Sequence, residues 1–434
     1  PAPLPRQTPT SRWTRSVPTT WPEPADAAVS RILLGVAGGI AAYKACELLR
    51  RFSEGGHDVT VVPTDSALQF VGAATWAALS GKPVHTDVWS DVHEVPHVRL
   101  GKQADLVVVA PATADLLARA ATGRADDLLT NVLLTATCPV LMAPAMHTEM
   151  WLHPATRANV ATLRERGVIV LDPASGRLTG EDTGPGRLPD PVDIHSVATS
   201  LVADEATVEA CRARDLTGRH VVVSAGGTRE QLDPVRYLGN ASSGLQGVAI
   251  ARAAALRGAS VTLVAASVTA DLPSGSEIVR VGSTADLARE MTRLASSADV
   301  IVMAAAPADF TVERSAGKIK KDGDAGLTLQ LTQTTDVLHT LSGRRPRPQT
   351  IVGFAAETAG TPEELLRLGR DKLARKGCDL LVLNDVSGGA VFGQRDNSVQ
   401  IIGRGRVVAE ASADKNVIAH RILDAVGVLE REHQ

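Results

Sequence analysis

The chain has 434 residues, of which 44% are apolar and 21% charged, and its 45 basic and 48 acidic side chains leave a net charge of −3. This length and composition predict a globular protein of two or three domains. The near balance of charge gives no sign of a nucleic-acid partner or of binding to a membrane, and it favours small-molecule partners.

The start of the chain differs from the rest. Residues 1–29 are polar and rich in proline, and we predict that they form a disordered leader. No apolar run in the chain reaches the roughly 18 residues of a membrane-spanning helix. The four cysteines are widely separated and form no CxxC pair, so the sequence indicates neither a disulfide framework nor a zinc site. A cytoplasmic location fits this cysteine pattern.

From residue 30 onwards, short β-branched or leucine-rich runs alternate with alanine-rich amphipathic segments. This alternation is typical of buried parallel strands joined by crossover helices. In the first half, strands are predicted at 31–37, 58–63, 104–110, 139–143 and 168–171. Helices are predicted to begin at Gly39, Ser66, Thr113, Asp126 and Pro154.

The run 189–217 loses strand character, and we predict an inter-domain linker at 196–217. A second series of strands is predicted at 220–224, 260–264, 277–281, 299–303, 350–354 and 379–383, followed by a strand at 399–402 and a closing helix at 412–428. The sequence therefore predicts an α/β protein with two doubly wound, Rossmann-like domains, 30–195 and 218–434. Sheets of this kind bind ligands at the carboxyl ends of their strands.

A glycine-rich turn follows the first predicted strand. Gly38 and Gly39 would let backbone N–H groups approach a phosphate, which a helix N-terminus also favours. The alternative is that the two glycines only make a tight turn. Three later predicted strand ends lead into the loops 63–66, 110–115 and 143–151, and parallel strands deliver such loops to one edge of the sheet. The loops therefore indicate one shared ligand site.

These loops carry the motifs Gly-Gly-Ile-Ala-Ala-Tyr-Lys, Ala-Pro-Ala-Thr-Ala and Pro-Ala-Met-x-x-x-Met-Trp. Over residues 30–195 the chain resembles the flavin-dependent phosphopantothenoylcysteine decarboxylases. The resemblance implies a flavoprotein decarboxylase fold, and a catalytic role for His97 in its Pro-His-Val-x-Leu context. It also implies that FMN is bound by Gly38, Gly39, Thr64, Ser66, Pro111, Thr113, Ala114 and Met146.

Two positions depart from the family pattern. His147 stands where the family has an asparagine that binds the substrate carboxylate, and an imidazole can still donate a hydrogen bond there. Gly180 stands where the family has a flap cysteine that donates a proton. Thr179 or Glu181 could place a proton or a water at that point, or the decarboxylase could be impaired. The sequence leaves these alternatives open.

The run 224–244 contains Gly226 and ends in two serines before an alanine-rich segment. Ser242 and Ser243 are good helix N-caps, and the N–H groups beyond them suit a triphosphate. Arg229 and Arg236 can donate bidentate hydrogen bonds to phosphate. The alternative is a capped helix after a long loop.

Together with the motifs at 304–310, 318–321, 352–358 and 383–385, this run resembles the CTP-dependent phosphopantothenate–cysteine ligases across residues 218–430. The resemblance implies that Asn240 acts on an acyl-cytidylate, that Asp309 meets the nucleotide or its Mg²⁺, and that Lys318 stabilises phosphate charge. It also implies that Phe354, Lys372 and Lys376 line the nucleotide site. Two lysines one helical turn apart would otherwise indicate only a solvated face.

The two resemblances together imply an enzyme of coenzyme A synthesis. It would join 4′-phosphopantothenate to cysteine with CTP, and then decarboxylate the product to 4′-phosphopantetheine with FMN. The resemblance also implies a homo-oligomer built on trimers and extending to a dodecamer. One alternative is a ligase whose first half is impaired or regulatory. Another, an ordinary Rossmann oxidoreductase, would need a Gly-x-Gly-x-x-Gly turn with an acidic residue roughly 20 positions later, and neither half has this full pattern.

Overall fold

The computed structural model describes residues 29–86, 95–178, 182–320, 327–359, 361–385 and 396–432. Residues 1–28 of the predicted leader lie outside the described residues. Thr179, Gly180 and Glu181 also lie outside the described residues. The alternatives for the proton donor therefore remain open.

The first domain is built on a sheet of five parallel strands, β1 (Arg31–Val36), β2 (Asp58–Pro63), β3 (Leu106–Ala112), β4 (Val140–Pro144) and β5 (Ile169–Val170). Their order is β2-β1-β3-β4-β5. The connecting helices are α1 (Ala42–Glu54), α2 (Asp65–Leu68), α3 (Ala73–Ser80), α4 (Pro96–Gln103), α5 (Ala114–Thr122), α6 (Leu128–Thr135), α7 (Thr148–Leu152) and α8 (Pro154–Glu165).

Both faces of this sheet are buried. In β1, Ile32 and Leu34 belong to one apolar cluster and Leu33 to another on the opposite face. Every residue of β3 is buried, as expected for a central parallel strand covered by helices on both sides. A ligand therefore has access to the sheet at the ends of the strands, and not across its faces.

A short antiparallel hairpin, β6 (Ala174–Arg177) and β7 (Thr183–Arg187), follows the sheet, and the helices α9 (Pro191–Ala203) and α10 (Glu205–Ala213) come next. Three residues of α9, Ile194, Val197 and Leu201, are part of the apolar core of the first domain. The stretch predicted as a linker thus contains most of α9 and all of α10. The position of the domain boundary stays a prediction.

The strands of the second domain are β8 (His220–Gly226), β9 (Arg229–Gln231), β10 (Tyr237–Gly239), β11 (Ser260–Ala266), β12 (Glu277–Val281), β13 (Val300–Met303), β14 (Phe310–Thr311), β15 (Thr332–Gln333), β16 (Thr350–Glu357), β17 (Leu380–Asp385), β18 (Asp396–Gly403) and β19 (Arg406–Asp414). Eight of them form one sheet in the order β12-β11-β8-β13-β16-β17-β18-β19. Its last two strands are antiparallel to their neighbours.

The helices of this domain are α11 (Leu245–Leu256), α12 (Thr284–Ala295), α13 (Val337–Gly343), α14 (Pro362–Lys376) and α15 (Lys415–Glu432). The apolar residues of α11 and α15 share one cluster with Val221 and Val223 of β8. Those of α12, α13 and α14 share another with Val222, which points to the opposite face. Both domains are therefore doubly wound, and the predicted α/β class is confirmed.

One predicted element is wrong at its start. Ser412 was expected to open the closing helix, but it lies in β19, and the helix begins at Lys415. The segment 409–413 is rich in alanine and serine, which gives it a helical appearance in isolation. Pairing with β18 along the whole strand, including Ser398 opposite Ser412, overrides this local preference.

The two domains are joined by ion pairs as well as by the chain. Arg252 of α11 pairs with Asp193 of α9, and both side chains are largely buried. Arg421 of α15 pairs with Asp204 at 2.6 Å. Because the first pair is shielded from water, it constrains how the two domains meet more strongly than an exposed pair would.

All four cysteines are free thiols. Within the described part of the chain, no helix combines the length and the apolar composition needed to cross a bilayer.

Candidate functional site

A large cavity opens at the carboxyl edge of the first sheet, where the loops after β1, β2, β3 and β4 converge. Measured to its open mouth, it has a volume of about 2050 Å³. His147 lines it. So do all eight residues predicted to bind the cofactor, Gly38, Gly39, Thr64, Ser66, Pro111, Thr113, Ala114 and Met146. The structure therefore brings the predicted set together, and the role of each residue stays a prediction.

The corner of the cavity beside Gly38 accepts no side chain at that position. A Cβ on Gly38 would lie 2.2 Å from Cβ of Ser66 and 2.7 Å from its carbonyl carbon. Thr113 caps α5 by accepting a hydrogen bond from the N–H of Leu116 at 3.3 Å. A glycine loop and helix starts at one corner suit an anionic group, because their N–H groups can approach it closely.

Four cations also line this cavity, Lys44, Arg119, Arg177 and Arg187. Lys44 ends the first motif of the sequence, whereas the three arginines were not singled out there. Arg119 is fixed by three carboxylates, Asp115 at 3.0 Å, Asp126 at 2.9 Å and Asp127 at 2.7 Å. Arg177 and Arg187 come from the β6–β7 hairpin, which reaches the cavity from a distant part of the sequence. No local pattern around these arginines indicates a site, so the sequence could not have identified them.

His147 links the loop after β4 to the β6–β7 hairpin. Its Nδ1 hydrogen-bonds the carboxylate of Glu149, and its Nε2 lies 3.5 Å from Oδ2 of Asp182. The backbone N–H of Met146 donates to the carbonyl of Gly186 at 2.9 Å. The hydrogen bond that His147 donates to Glu149 and the charges of both carboxylates raise the pKa of His147, although desolvation opposes this. The protonated imidazole is thus favoured at the cavity wall.

His97 stands apart from the predicted cofactor residues. It lies in α4, and its backbone carbonyl accepts a hydrogen bond from Oγ1 of Thr135 at 2.8 Å. Its Nδ1 is buried and has no hydrogen-bond partner among the described residues. His97 is not among the residues that line the cavity of its own chain.

Two adjoining cavities open at the carboxyl edge of the second sheet. One, of about 1070 Å³, is lined by Asn240, Ser242 and Ser243 and is called here the serine cavity. The other, of about 970 Å³, is lined by Asp309 and Lys376. Phe354 and Lys372 line both cavities. Seven of the predicted ligase-site residues are thus brought together.

Four other predicted residues, Gly226, Arg229, Arg236 and Lys318, do not line either cavity. Gly226 has a φ of +85°, and a Cβ there would lie 2.0 Å from the carbonyl oxygen of Ala266, so the turn requires glycine. The guanidinium of Arg229 lies 4.4 Å from the ring centre of Tyr237. Arg236 donates to the carbonyl of Ile319, the neighbour of Lys318, at 3.1 Å.

Asp233 connects the loop of Arg236 to the loop of Lys318, and sequence reasoning missed it. Its buried carboxylate accepts hydrogen bonds from the backbone N–H groups of Val235, Arg236 and Ile319. Desolvation would raise the pKa of Asp233, but these three donors and the charge of Arg236 outweigh it and lower the pKa. Asp233 therefore holds the loop that carries Lys318 against the loop after β9.

The two predicted nucleotide lysines are each paired with a carboxylate. Lys372 lies 2.6 Å from Glu357, and Lys376 lies 2.5 Å from Asp336. Among the described residues, no three or more His, Cys, Asp and Glu side chains are grouped as metal ligands. Asp309 is thus a single carboxylate, which is compatible with Mg²⁺ if nucleotide phosphates complete its coordination.

Comparisons with known proteins match both halves of the chain. Residues 22–203 match the Flavoprotein family, and residues 216–429 match the family described as DNA/pantothenate metabolism flavoprotein C-terminal domain. The chain is 54% identical over 405 residues to the coenzyme A biosynthesis bifunctional protein CoaBC of Mycolicibacterium smegmatis, covering 91% of this chain and 97% of the relative.

One further relative extends this result, and one solved structure also matches part of the chain. The protein of the same name from Bacillus subtilis is 41% identical over 374 residues, covering 85% of this chain and 89% of that one. A crystal structure of the C-terminal domain of a CoaBC protein matches with a TM-score of 0.43 and 29% identity, covering 50% of this chain and 99% of that one.

Replacing Gly38 tests the corner of the first cavity. We expect Gly38→Ala to displace the loop that carries Ser66 at a cost of about 1–3 kcal/mol, and so to weaken flavin binding roughly ten- to hundredfold. The measurement is the flavin-to-protein absorbance ratio of the purified protein. Gly72→Ala is the matched control, because a Cβ there meets nothing within 4 Å. Equal flavin content in both variants would contradict a cofactor contact at Gly38.

The pairing of His147 predicts a pH-dependent contact. We expect its pKa, followed by NMR, to lie above the ordinary value of 6.5 and to fall in Glu149→Gln. Because the folded-state pKa is raised, the stabilisation is complete below the ordinary value and is lost as the pH rises through the raised value. Glu165→Gln, at an exposed carboxylate of α8, should leave the His147 titration unchanged. An unchanged titration in Glu149→Gln would refute the pairing.

Proposed function

Because this chain belongs to the family of CoaBC bifunctional proteins of coenzyme A biosynthesis, we propose that its two domains act in succession on one substrate. The chain is a bifunctional enzyme with a flavoprotein decarboxylase domain and a ligase domain. In our proposal, the ligase domain joins 4′-phosphopantothenate to cysteine with CTP through an acyl-cytidylate. The decarboxylase domain then converts 4′-phosphopantothenoylcysteine to 4′-phosphopantetheine. The observation that carries this proposal is that both sheets gather their motif residues at cavities on their carboxyl edges.

FMN is the proposed cofactor of the first cavity. The fit rests on the corner at Gly38, which a single Cβ would fill, and on the four cations of the wall. When bound, the flavin would supply the reversible two-electron oxidation that makes loss of CO₂ from the cysteinyl group feasible. His147 would hold the substrate carboxylate by charge and hydrogen bond, in place of an amide. The backbone around Gly38 and Gly39 would hold the flavin phosphate.

His97 is proposed as the base that takes the thiol proton, a task suited to an imidazole. Since His97 lies outside the cavity of its own chain, a neighbouring copy would bring it there. Ile40, Tyr43 and Met150 line the cavity and are 76%, 60% and 49% exposed, so they offer apolar surface for such a neighbour. These observations support the proposed homo-oligomer, whereas its trimeric unit and its extension to a dodecamer are proposed from the family resemblance alone.

In the ligase domain, Phe354, Lys372 and Lys376 are proposed to hold CTP, with Mg²⁺ at Asp309. Activating a carboxylate with CTP brings two anions together, and lysines with Mg²⁺ offset that repulsion and the charge that develops on pyrophosphate. The amide nitrogen of Asn240 donates to the carbonyl of Pro307 at 2.9 Å, which fixes this side chain at the wall of the serine cavity. From that position Asn240 would act on the acyl-cytidylate.

The remaining predicted residues keep supporting roles in this proposal. Lys318 would stabilise phosphate charge from the loop that Asp233 holds. Arg229 and Arg236 would contribute positive charge from beside the cavities, and Gly226, Ser242 and Ser243 would shape the loop around the phosphates. A cytoplasmic location, as a reducing compartment, is proposed with them.

The alternatives from the sequence are not favoured. Relatives that match over 91% of this chain carry the bifunctional name, which argues against a first half that is only regulatory. An ordinary Rossmann oxidoreductase is likewise not supported, because the two halves match the Flavoprotein and pantothenate-metabolism families.

His97→Gln tests the decarboxylase step. The intact chain is given 4′-phosphopantothenate, cysteine, CTP and Mg²⁺, and the release of pyrophosphate and of CO₂ is followed separately. We expect CO₂ release to fall by about 10²-fold or more, as for loss of a general base, while pyrophosphate release is unchanged. His57→Gln, at a half-buried histidine outside the cavity, should alter neither. Persistent CO₂ release would remove His97 from the proposed role.

Asn240→Asp tests the ligase step in the same assay. A carboxylate in place of the amide loses the donor to Pro307 and places negative charge beside the acyl phosphate. We therefore expect the acyl-cytidylate to accumulate after a single burst of pyrophosphate, with no amide product. Asn159→Asp, at a partly exposed position of α8 away from the three cavities, is the matched control. Turnover equal to that of the control would show that Asn240 does not act on the intermediate.

A further inference from the structure

Two buried threonines contact the residue before Asp309, and no step of the proposed mechanism uses them. Thr228 and Thr284 are 0% and 1% exposed. Thr228 directly precedes β9, and Thr284 is the first residue of α12. Because burial of a hydroxyl is costly unless it is hydrogen-bonded, the partners of the two threonines indicate what they hold in place.

The two threonines and the backbone of Ala308 form a closed ring of hydrogen bonds. The N–H of Ala308 donates to Oγ1 of Thr228 at 2.8 Å, and Oγ1 of Thr284 donates to the carbonyl of Ala308 at 3.3 Å. The two hydroxyl oxygens are 2.9 Å apart. Each hydroxyl has one hydrogen, and that of Thr284 goes to the carbonyl, so Thr228 is the donor between them. Side chains from two other segments thus satisfy both polar groups of the Ala308 backbone.

A buried carboxylate holds the other side of the same loop. Glu230 is 6% exposed. Its Oε1 accepts a hydrogen bond from the backbone N–H of Thr284 at 2.7 Å, and its Oε2 accepts one from Oγ1 of Thr311 at 3.0 Å. The N–H of Thr284 belongs to the first turn of α12, where the helix dipole favours negative charge. Glu230 thus connects the start of α12 to the segment that follows Asp309.

Asp309 lies between these two attachment points. It belongs to neither β13 nor β14, and its carbonyl accepts a hydrogen bond from the N–H of Thr334 at 3.0 Å. Its side chain is exposed at the wall of the cavity that it shares with Lys376. The position of Asp309 therefore depends on the hydrogen bonds that hold Ala308 on one side and Thr311 on the other.

Burial makes these hydrogen bonds costly to break. A donor or acceptor that loses its partner inside the protein is left without a hydrogen bond, because water does not reach it. A loop held in this way keeps one conformation in the absence of ligand, and a ligand that binds it does not have to order it first.

We propose that Thr228 and Glu230 are positioning residues for Asp309, and that they hold its carboxylate where it meets the Mg²⁺ of the CTP complex. This inference rests on the proposed use of CTP and Mg²⁺ by the ligase domain. Neither residue lines the two cavities of that domain, so both act on the ligand through the loop and not by contact.

The test is a double-mutant cycle on the intact chain, read by calorimetry as the Kd of CTP in the presence of Mg²⁺. Thr228→Val keeps the shape of the side chain but leaves the N–H of Ala308 without an acceptor. We expect the Kd of CTP to rise about ten- to hundredfold. In an Asp309→Asn background the same substitution should cause no further rise, because its effect passes through that carboxylate.

Two other threonine variants are the controls of this cycle. Thr228→Ser retains the hydroxyl and should keep most of the CTP affinity. Thr262→Val removes an equally buried hydroxyl of β11, which hydrogen-bonds His220 at 3.0 Å, and should leave the Kd of CTP unchanged. Thermal unfolding of each variant reports that it is folded.

Glu230→Gln is a second variant, which keeps the inference testable if Thr228→Val does not fold. An amide has one acceptor oxygen in place of two, so it loses one of the bonds to Thr284 and Thr311, and we expect weaker CTP binding here too. An unchanged Kd in either folded variant would overturn the inference. So would a loss in Thr228→Val that adds in full to that of Asp309→Asn.

The cycle also separates this inference from the proposed function. If Asp309→Asn binds CTP as tightly as the unmodified chain, the proposed role of Asp309 is itself wrong, and the positioning roles fall with it. If Asp309→Asn weakens binding and the folded Thr228→Val does not, only the positioning roles are wrong.

Discussion

Burial of both faces of the parallel part of each sheet is the constraint on which the sites depend. Helices cover the two faces in each domain, so the loops that leave the carboxyl ends of the strands are the part of each sheet open to ligands. Both halves of the chain have this arrangement, although their motifs differ. The side chains of the loops determine the chemistry of each half. The first presents glycine turns and four cations. The second presents a serine-containing turn, an asparagine and lysines, and the expectation that Ser242 or Ser243 caps the following helix is wrong, because the N-cap residue of α11 is Gly244.

Two lysines of the ligase domain are held in position by carboxylates in the absence of substrate. Lys372 and Lys376 are each held by a carboxylate, Glu357 and Asp336. Such pairs keep flexible ammonium groups in position, and the two lysine side chains are only 23% and 20% exposed. In the proposed nucleotide site, a polyanion would meet lysines that are already held in position. The same principle applies to Arg119, which three carboxylates fix at the wall of the first cavity.

The sequence predicted the features that depend on residues close together in the chain. The strand at 58–63 and the strand at 277–281 were predicted with the bounds that the structure has, because β-branched runs between turn residues are a local signal. The loops that line the first cavity were also predicted, since parallel strands must deliver them to one edge. Asp233 could not be predicted in this way. Its partner Ile319 is separated from it by 86 residues, and packing alone brings the two together.

Helix α11 contacts two different parts of the molecule at two points along its length. Its first turn faces the serine cavity, and Arg252, seven residues after Leu245, pairs with Asp193 in the other half of the molecule. At about 1.5 Å per residue, these two points are roughly 10 Å apart along the helix axis. The same helix thus lines the serine cavity and forms an ion pair with the first domain. Movement of this cavity relative to the first domain is therefore restrained by the helix that forms part of the cavity wall.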